Sequence, residues 1–226
     1  GRFTGWESTP QHTITLVAAV YGGTLAVDTL YGSLATADVQ ASGAWHFIAP
    51  QTGAVDYAID VTSLRPFGPW IPVLGDSIAT GAVTSVGTLS GTLERIRIAG
   101  GASGGTLQVG EWRASEFAGE YDLTFGGERL PVAVVNAEAR DITTPTAGNY
   151  TVGTIALRMT PPDLDLQVNA ARTDGGVVDV AATGFLPENG LREVRVQRAR
   201  FDLADDRWVL LRPATFRWTE GEPVYV

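Results

Sequence analysis

The sequence predicts an all-β fold built from a strongly curled, mostly antiparallel sheet. Three observations support this prediction: short runs alternate apolar and polar residues, glycine and proline separate the runs, and no helical period is long enough to cover a sheet. The clearest run is 163–170, where leucine and valine alternate with Asp, Gln and Asn. Such a sheet has to cover its apolar face by folding onto itself, onto a partner or onto an apolar ligand.

Composition limits the classes of protein that the chain can belong to. Its 226 residues fit one large all-β domain or two smaller ones, and 44% hydrophobic against 18% charged residues argues against wholesale disorder. The net charge is −9, which argues against binding to nucleic acid or electrostatic binding to anionic lipid surfaces. The chain has no cysteine, which excludes disulfides, thiolate zinc sites and cysteine nucleophiles.

The first half of the chain contains three clear strand-like runs and one break. Alternation marks strands near 14–18, 45–47 and 55–61, where Tyr57 and Ile59 share a face. Residues 63–76 carry several prolines, so a regular strand or long helix cannot form there. We expect one or two helical turns in this break, held by Phe67 and Trp70.

The second half contains more strands at closer spacing. We expect a strand at 93–98, a turn at the glycine cluster 100–105, and further strands carrying the pairs Leu107 with Val109 and Val178 with Val180. A bulge at Gly110 would change the direction of Trp112, so that direction is left open. We count about fifteen strands, and because open sheets rarely exceed about ten, the sheet has to curl strongly. Alternation alone does not decide whether it closes or stays an open trough.

Candidate catalytic and metal-binding residues are few. His12 and His46 have no second ligand at metal-like spacing, so we interpret them as ordinary strand residues. Asp163 and Asp165 share a face, as a glycosidase or calcium pair would, but the solvent face of any strand has the same spacing. We therefore predict no catalytic, cofactor or metal site.

Two further clusters also favour structural interpretations. The glycine cluster 100–105 lacks the Lys-Ser/Thr and the following helix of a phosphate loop, so we interpret it as a hairpin turn. The arginines of 192–200 lie close in sequence to Glu193 and Asp202, which favours local ion pairs over a ligand site.

Three segments resemble the TamB/AsmA-like proteins, long periplasmic proteins of diderm bacteria. Residues 60–72 resemble the family's apolar strand with a Leu-Arg-Pro-Phe kink, and 87–93 resemble its Gly-x-Leu-x-Gly-x-Leu strand start. Residues 201–216 resemble a strand pair of the form Trp-x-Leu-x-x-Pro-Ala. The resemblance covers most of the chain from about residue 55 onward.

The resemblance implies a long sheet folded into a taco, or groove, with an apolar interior. We expect 1–226 to be one continuous segment of a longer protein that is anchored in the inner membrane and crosses the periplasm. It would shield phospholipid acyl chains during transport between the membranes, or support outer-membrane protein assembly and secretion with a TamA/BamA-type barrel-assembly protein. The expected lining residues are Tyr57, Ile59, Leu107, Val109, Tyr121, Leu123, Phe125, Leu164, Leu166, Val168, Val178 and Val180.

The alternative is a carbohydrate-binding or surface-interaction β-sandwich with aromatic residues on an outer platform. A third hypothesis is a glycan-active domain that uses Asp163 or Asp165. Tyr57, Tyr121 and Phe125 alternate in phase with aliphatic residues, which favours a lined interior over a displayed platform.

Overall fold

The protein is all-β, with antiparallel pairing between neighbouring strands. The computed structural model describes residues 12–48, 51–70, 79–126, 128–145, 148–203 and 206–219. These residues form fifteen strands, and the helical element among them is a 3-10 helix at Arg65–Trp70. Every strand pair whose register the structure describes is antiparallel. The predicted all-β, mostly antiparallel fold is confirmed. The helix lies inside the predicted break of 63–76, of which residues 71–76 are outside the described residues.

The chain divides into two compact units, Gly1–Gly110 and Glu111–Val226, here called unit 1 and unit 2. A single continuous segment over 1–226 stays a prediction. The strands of unit 1 are β1 (His12–Tyr21), β2 (Thr24–Leu34), β3 (Ala37–His46), β4 (Thr52–Val61), β5 (Ala79–Thr80), β6 (Val83–Thr92) and β7 (Ile96–Val109). They form an open sheet of order β1-β2-β3-β4-β6-β7, with β5 paired to the end of β7.

Unit 2 is also an open antiparallel sheet. Its strands are β8 (Trp112–Gly126), β9 (Glu128–Thr144), β10 (Gly148–Thr160), β11 (Asp163–Arg172), β12 (Val177–Phe185), β13 (Arg192–Leu203), β14 (Asp206–Val209) and β15 (Ala214–Trp218). The order from β8 to β13 follows the sequence. Both β14 and β15 pair with β13, one near each of its ends.

The glycine cluster 100–105 does not turn the chain, so that prediction is wrong. The cluster lies within β7, and the turn comes earlier, where Thr92 and Arg95 exchange backbone hydrogen bonds of 2.9 and 3.2 Å. Leu93, predicted to lie in a strand, is therefore in the turn and is 55% exposed. These glycines fit a strand because a neighbouring side chain needs the space. Gly100 pairs with Gly87, and the Tyr57 hydroxyl lies 2.6 Å from where a Gly87 Cβ would be.

Little of either sheet is buried in a closed core. None of the large side chains that the structure describes is fully buried. Apart from Trp45 and Tyr150, the buried hydrophobic residues are alanines. A sandwich of this size would bury large aliphatic and aromatic side chains between its sheets. The apolar residues of these sheets therefore remain partly accessible.

Candidate functional site

One face of unit 2 is apolar along four successive rows of paired positions from β10 to β13, and we call it the unit 2 face. Residues directly opposite on neighbouring strands share a face, so the strand register defines its membership. Four rows cross these strands: Gly153, Ala170, Val178 and Phe201; Ile155, Val168, Val180 and Ala199; Leu157, Leu166, Ala182 and Val196; and Met159, Leu164, Gly184 and Val194. No polar side chain interrupts them.

The opposite face of the same strands is polar. Its rows are Thr154, Asn169, Asp179 and Arg200; Ala156, Gln167, Ala181 and Arg198; and Arg158, Asp165, Thr183 and Arg195. Arg198 pairs with Asp179 at 2.7 Å and Arg200 with Asp202 at 2.6 Å. The Arg200 hydrogen bond lowers the pKa of Asp202. The predicted local ion pairing is confirmed for Arg200, whereas Arg198 pairs with Asp179 on the neighbouring strand β12. These charged and polar side chains suit a face that is in contact with water.

Seven of the eight predicted lining residues of unit 2 fall on one face. The register places all five from β11 and β12, namely Leu164, Leu166, Val168, Val178 and Val180, in the apolar rows. Tyr121 and Leu123 join them because their β9 partners, Val135 and Ala133, lie opposite Leu157 and Met159. Phe125 lies at a register shift between Thr124 and Gly126 and is 43% exposed.

Unit 1 has its own apolar face, rich in glycine. Tyr57 and Ile59 belong to it, in rows with Ala41, Gly87 and Gly100, and with Val39, Ser85 and Ala102. Leu107 and Val109 follow Thr106, whose φ of 49° breaks the alternation of β7. Val109 pairs with Ala79, which is 1% exposed. The strand register therefore does not connect these two residues to the face of Tyr57.

Trp45 is the largest buried side chain among the described residues of unit 1, and the sequence analysis did not select it as a lining residue. It is 8% exposed, and its ring lies over Gly53 of the neighbouring strand, 2.5 Å from where a Cβ would be. Its indole Nε1 is buried without a hydrogen-bond partner in the described structure. In the sequence, Trp45 is in phase with apolar residues, and this was the available signal. That Gly53 lies beneath the ring cannot be read from the sequence, because it depends on the cross-strand register.

The unit 2 face ends at a polar cluster around Arg172. This side chain is 7% exposed and binds Asp174, with 2.6 Å between its Nη2 and the nearer carboxylate oxygen. Its guanidinium carbon lies 5.8 Å from the centroid of the Tyr150 ring, a cation–π distance. The sequence contains a signal for this position, because Arg172 continues the alternation that begins at Leu164. The sequence analysis did not use that signal. The cluster gives an otherwise apolar face one polar end.

We expect the Arg172–Asp174 pair to make stability depend on pH. Hydrogen bonds from Arg172 and then from the Gly176 N–H lower the pKa of Asp174 from 3.8 to about 2. Because the folded pKa lies below the unfolded one, the stabilisation is complete above about pH 5 and is lost as pH falls toward 2. Thermal unfolding should show a gap in Tm between wild type and Asp174→Asn at neutral pH that closes near pH 2. A gap that does not change with pH would contradict this assignment.

The polar face of unit 2 carries two shallow depressions. One of about 350 Å³ is lined by Asn169 and Asp179 together with Val152 and Val177. The other, of about 260 Å³, is lined by Arg158, Asp163 and Asp165. Asp163 and Asp165 are exposed strand residues, and Asp165 lies opposite Arg158.

Two further candidates from the sequence, His46 and Trp112, can be placed in the part of the chain that the structure describes. His46 Nδ1 is 2.6 Å from the Thr24 hydroxyl oxygen. The described residues contain no cluster of three or more His, Cys, Asp or Glu suited to a metal ion. Trp112, whose direction the sequence left open, is 56% exposed.

Comparison of the chain with protein-family profiles, with curated proteins and with solved structures finds no match. Among the described helical residues, none form a helix long and apolar enough to cross a membrane.

Proposed function

We propose that the unit 2 face binds acyl chains, within a periplasmic bridge-like protein of the TamB/AsmA type. Such a protein would support phospholipid transport between the inner and outer membranes, or outer-membrane protein assembly and secretion. Contact with a barrel-assembly protein would involve parts of the longer protein outside this segment. The observation that carries the proposal is the set of four uninterrupted apolar rows from β10 to β13.

The energetics favour an apolar chain as occupant of this face. Each methylene that leaves water contributes about 0.8 kcal/mol, so a few contacts along an acyl chain give substantial binding. The apolar rows offer no hydrogen bond that would select a particular headgroup, which can remain in water. The unit 1 face, with Tyr57 and Ile59, offers a second surface of the same chemistry.

The proposal is tested by native mass spectrometry of the protein purified from a diderm bacterial host. We expect phospholipid adducts that differ in headgroup but share two acyl chains, because the binding surface is apolar. Delipidated protein should regain such adducts when it is mixed with phosphatidylethanolamine vesicles. Protein that never carries or captures phospholipid under either condition would contradict the proposal.

The second candidate is binding of a carbohydrate on the polar face, favoured by the depression beside Asp163 and Asp165. Alanine substitutions separate the two candidate functions. A substitution at an exposed residue usually costs under about 0.5 kcal/mol of stability, so a loss of binding would not be caused by unfolding. Under the acyl-chain proposal, Asp163→Ala and Asp165→Ala keep their phospholipid adducts, as do His12→Ala and His46→Ala. Loss of glycan binding in either Asp variant, with no phospholipid captured by the wild type, would favour the carbohydrate module.

A further inference from the structure

The unit 2 face has different chemistry at the two ends of β11. From Leu164 to Ala170 every second residue of this strand lies in an apolar row, and the next residue in the same phase is Arg172. What we call the Arg172 cluster consists of Arg172, Asp174 and Tyr150. At the other end, β10 and β11 are joined by two prolines at 161–162, which have no backbone N–H. The apolar positions of β11 therefore run from a charged end to an apolar end.

The Arg172 cluster is fixed in place on the sheet. Arg172 Nε donates to one carboxylate oxygen of Asp174 at 3.0 Å, and its Nη2 donates to the other at 2.6 Å, so the pair is bidentate. Two glycines leave room for the arginine. A Cβ on Gly148 would lie 3.0 Å from Nη1, and one on Gly176 would lie 2.8 Å from Cδ. With 7% of its side chain exposed, Arg172 is a defined polar group on this face.

The apolar positions of β11 have the length of an acyl chain. At about 3.4 Å per residue, the six steps from Leu164 to Ala170 span about 20 Å. One acyl chain occupies half of the hydrocarbon core of a bilayer, which is about 15 Å. A chain that lay across the strands within the four rows would meet no polar side chain at either end. A chain along β11 meets one at Arg172.

We propose that acyl chains lie along β10 and β11 with their ester end at the Arg172 cluster and their methyl end at Met159 and Leu164. The inference rests on the proposed function, because it assigns an orientation to the same ligand on the same face. Ester carbonyls are polar, so they are better placed beside a charged pair than over the apolar rows. The headgroup continues past the cluster into water, where it is not selected.

A second arginine defines the competing orientation. Arg192 is in phase with Val194 on β13 and lies opposite Trp218, at the end of the strands away from Arg172. It is the first residue of β13 and lies next to the short strand β15. Arg172, by contrast, lies on β11 between β10 and β12. If Arg192 held the ester end, the bound chain would point in the opposite direction.

The orientation can be measured with two phosphatidylcholines that carry a diazirine on one acyl chain. One lipid carries the diazirine beside the ester, and the other carries it at the end of the chain. After photolysis, mass spectrometry locates the labelled residues of β10 and β11. We expect the ester-end probe to label Val168 and Ala170 at least about threefold more than Met159 and Leu164. The chain-end probe should show the reverse preference.

Two leucine substitutions test the role of the Arg172 cluster. Arg172→Leu removes the charge from the apolar phase of β11, so both probes should label the two ends equally. Arg200→Leu is the matched control, because Arg200 also binds a carboxylate, that of Asp202, through Nε and Nη2 but lies on the polar face. Its labelling should match that of the wild type. Circular dichroism checks that both variants are folded.

The outcomes separate this inference from the proposed function. Absence of labelling by both probes would contradict acyl-chain binding itself. Wild-type labelling without a preference for either end, or with the reverse preference, would overturn the orientation while acyl-chain binding stands. A preference that persists in folded Arg172→Leu would overturn the role of the cluster. The wild-type pattern tests the orientation by itself, even if Arg172→Leu does not fold.

Discussion

Leu166→Asp is expected to abolish acyl-chain capture while the protein remains folded. Leu166 lies in the middle of the unit 2 face, between Leu157 on β10 and Ala182 on β12. A carboxylate at this position would be left unpaired beneath a bound acyl chain, where burial of an isolated charge is costly. A bound acyl chain would have to leave the carboxylate accessible to water, so we expect acyl-chain binding at the centre of the unit 2 face to be lost.

The cost to folding should be modest because the residue is partly exposed. Without a bound lipid, water reaches the carboxylate, so we expect a loss of about 1–2 kcal/mol. For a chain of this size that lowers Tm by a few degrees, roughly 2–8 °C. Circular dichroism should show the strand content of the wild type at 25 °C. Photo-crosslinking with a diazirine-labelled phospholipid measures capture on the same sample.

Gln167→Asp is the matched control for this substitution. It places the same charge one residue along β11, on the polar face, opposite Ala156 and Ala181. Crosslinking to lipid should match the wild type, because the apolar rows are unchanged. If Leu166→Asp instead unfolds the protein and the wild type captures no lipid, residue 166 lies in a closed core and the acyl-chain proposal fails.

Much of the fold can be predicted from local sequence, because a strand with one solvent-exposed face shows alternating polar and apolar residues. In β11 the apolar and polar positions can be read directly, and the register confirms that Leu164, Leu166 and Val168 share a side. The number of strands and the position of the 3-10 helix follow from turn residues and prolines in the same way. These features depend on neighbours in the chain rather than on distant residues.

The incorrect predictions involve residues whose roles are set by other strands. The glycines of 100–105 suggest a turn when they are considered alone. In the structure Gly100 pairs with Gly87, whose missing Cβ leaves room for Tyr57 from β4. The packing of Trp45 over Gly53 could not be predicted for the same reason, because the two residues lie on different strands. Cross-strand register determines which glycine lies under which aromatic ring, and no local pattern contains that information.

Arg172 was missed for another reason. It continues the alternation of β11 onto the apolar side, where a charged residue contradicts the pattern unless a partner is close. Asp174 supplies that partner two residues later, in the turn that leads into β12. A charge that falls on the apolar phase of a strand, followed by an opposite charge in the next turn, is therefore a usable signal for the polar end of such a face.

Trp45→Ala is expected to cause the largest loss of stability among single substitutions in unit 1. The side chain is 8% exposed and covers Gly53, so alanine would leave a void beside a glycine that has no side chain to fill it. Truncation of buried tryptophan costs about 3–5 kcal/mol. At about 3 kcal/mol, Tm would fall by roughly 6–12 °C.

Two matched variants separate packing from residue type. Trp112→Ala removes a tryptophan that is 56% exposed and should lower Tm by far less. Trp45→Phe keeps an aromatic ring over Gly53 and removes the indole N–H, which has no partner in the described structure. Because an unsatisfied buried donor is itself costly, this change should recover most of the stability lost in Trp45→Ala. Thermal unfolding of the three variants side by side measures this order. If Trp45→Phe were as unstable as Trp45→Ala, the indole N–H would have a stabilising partner and the proposed packing role of the ring would be wrong.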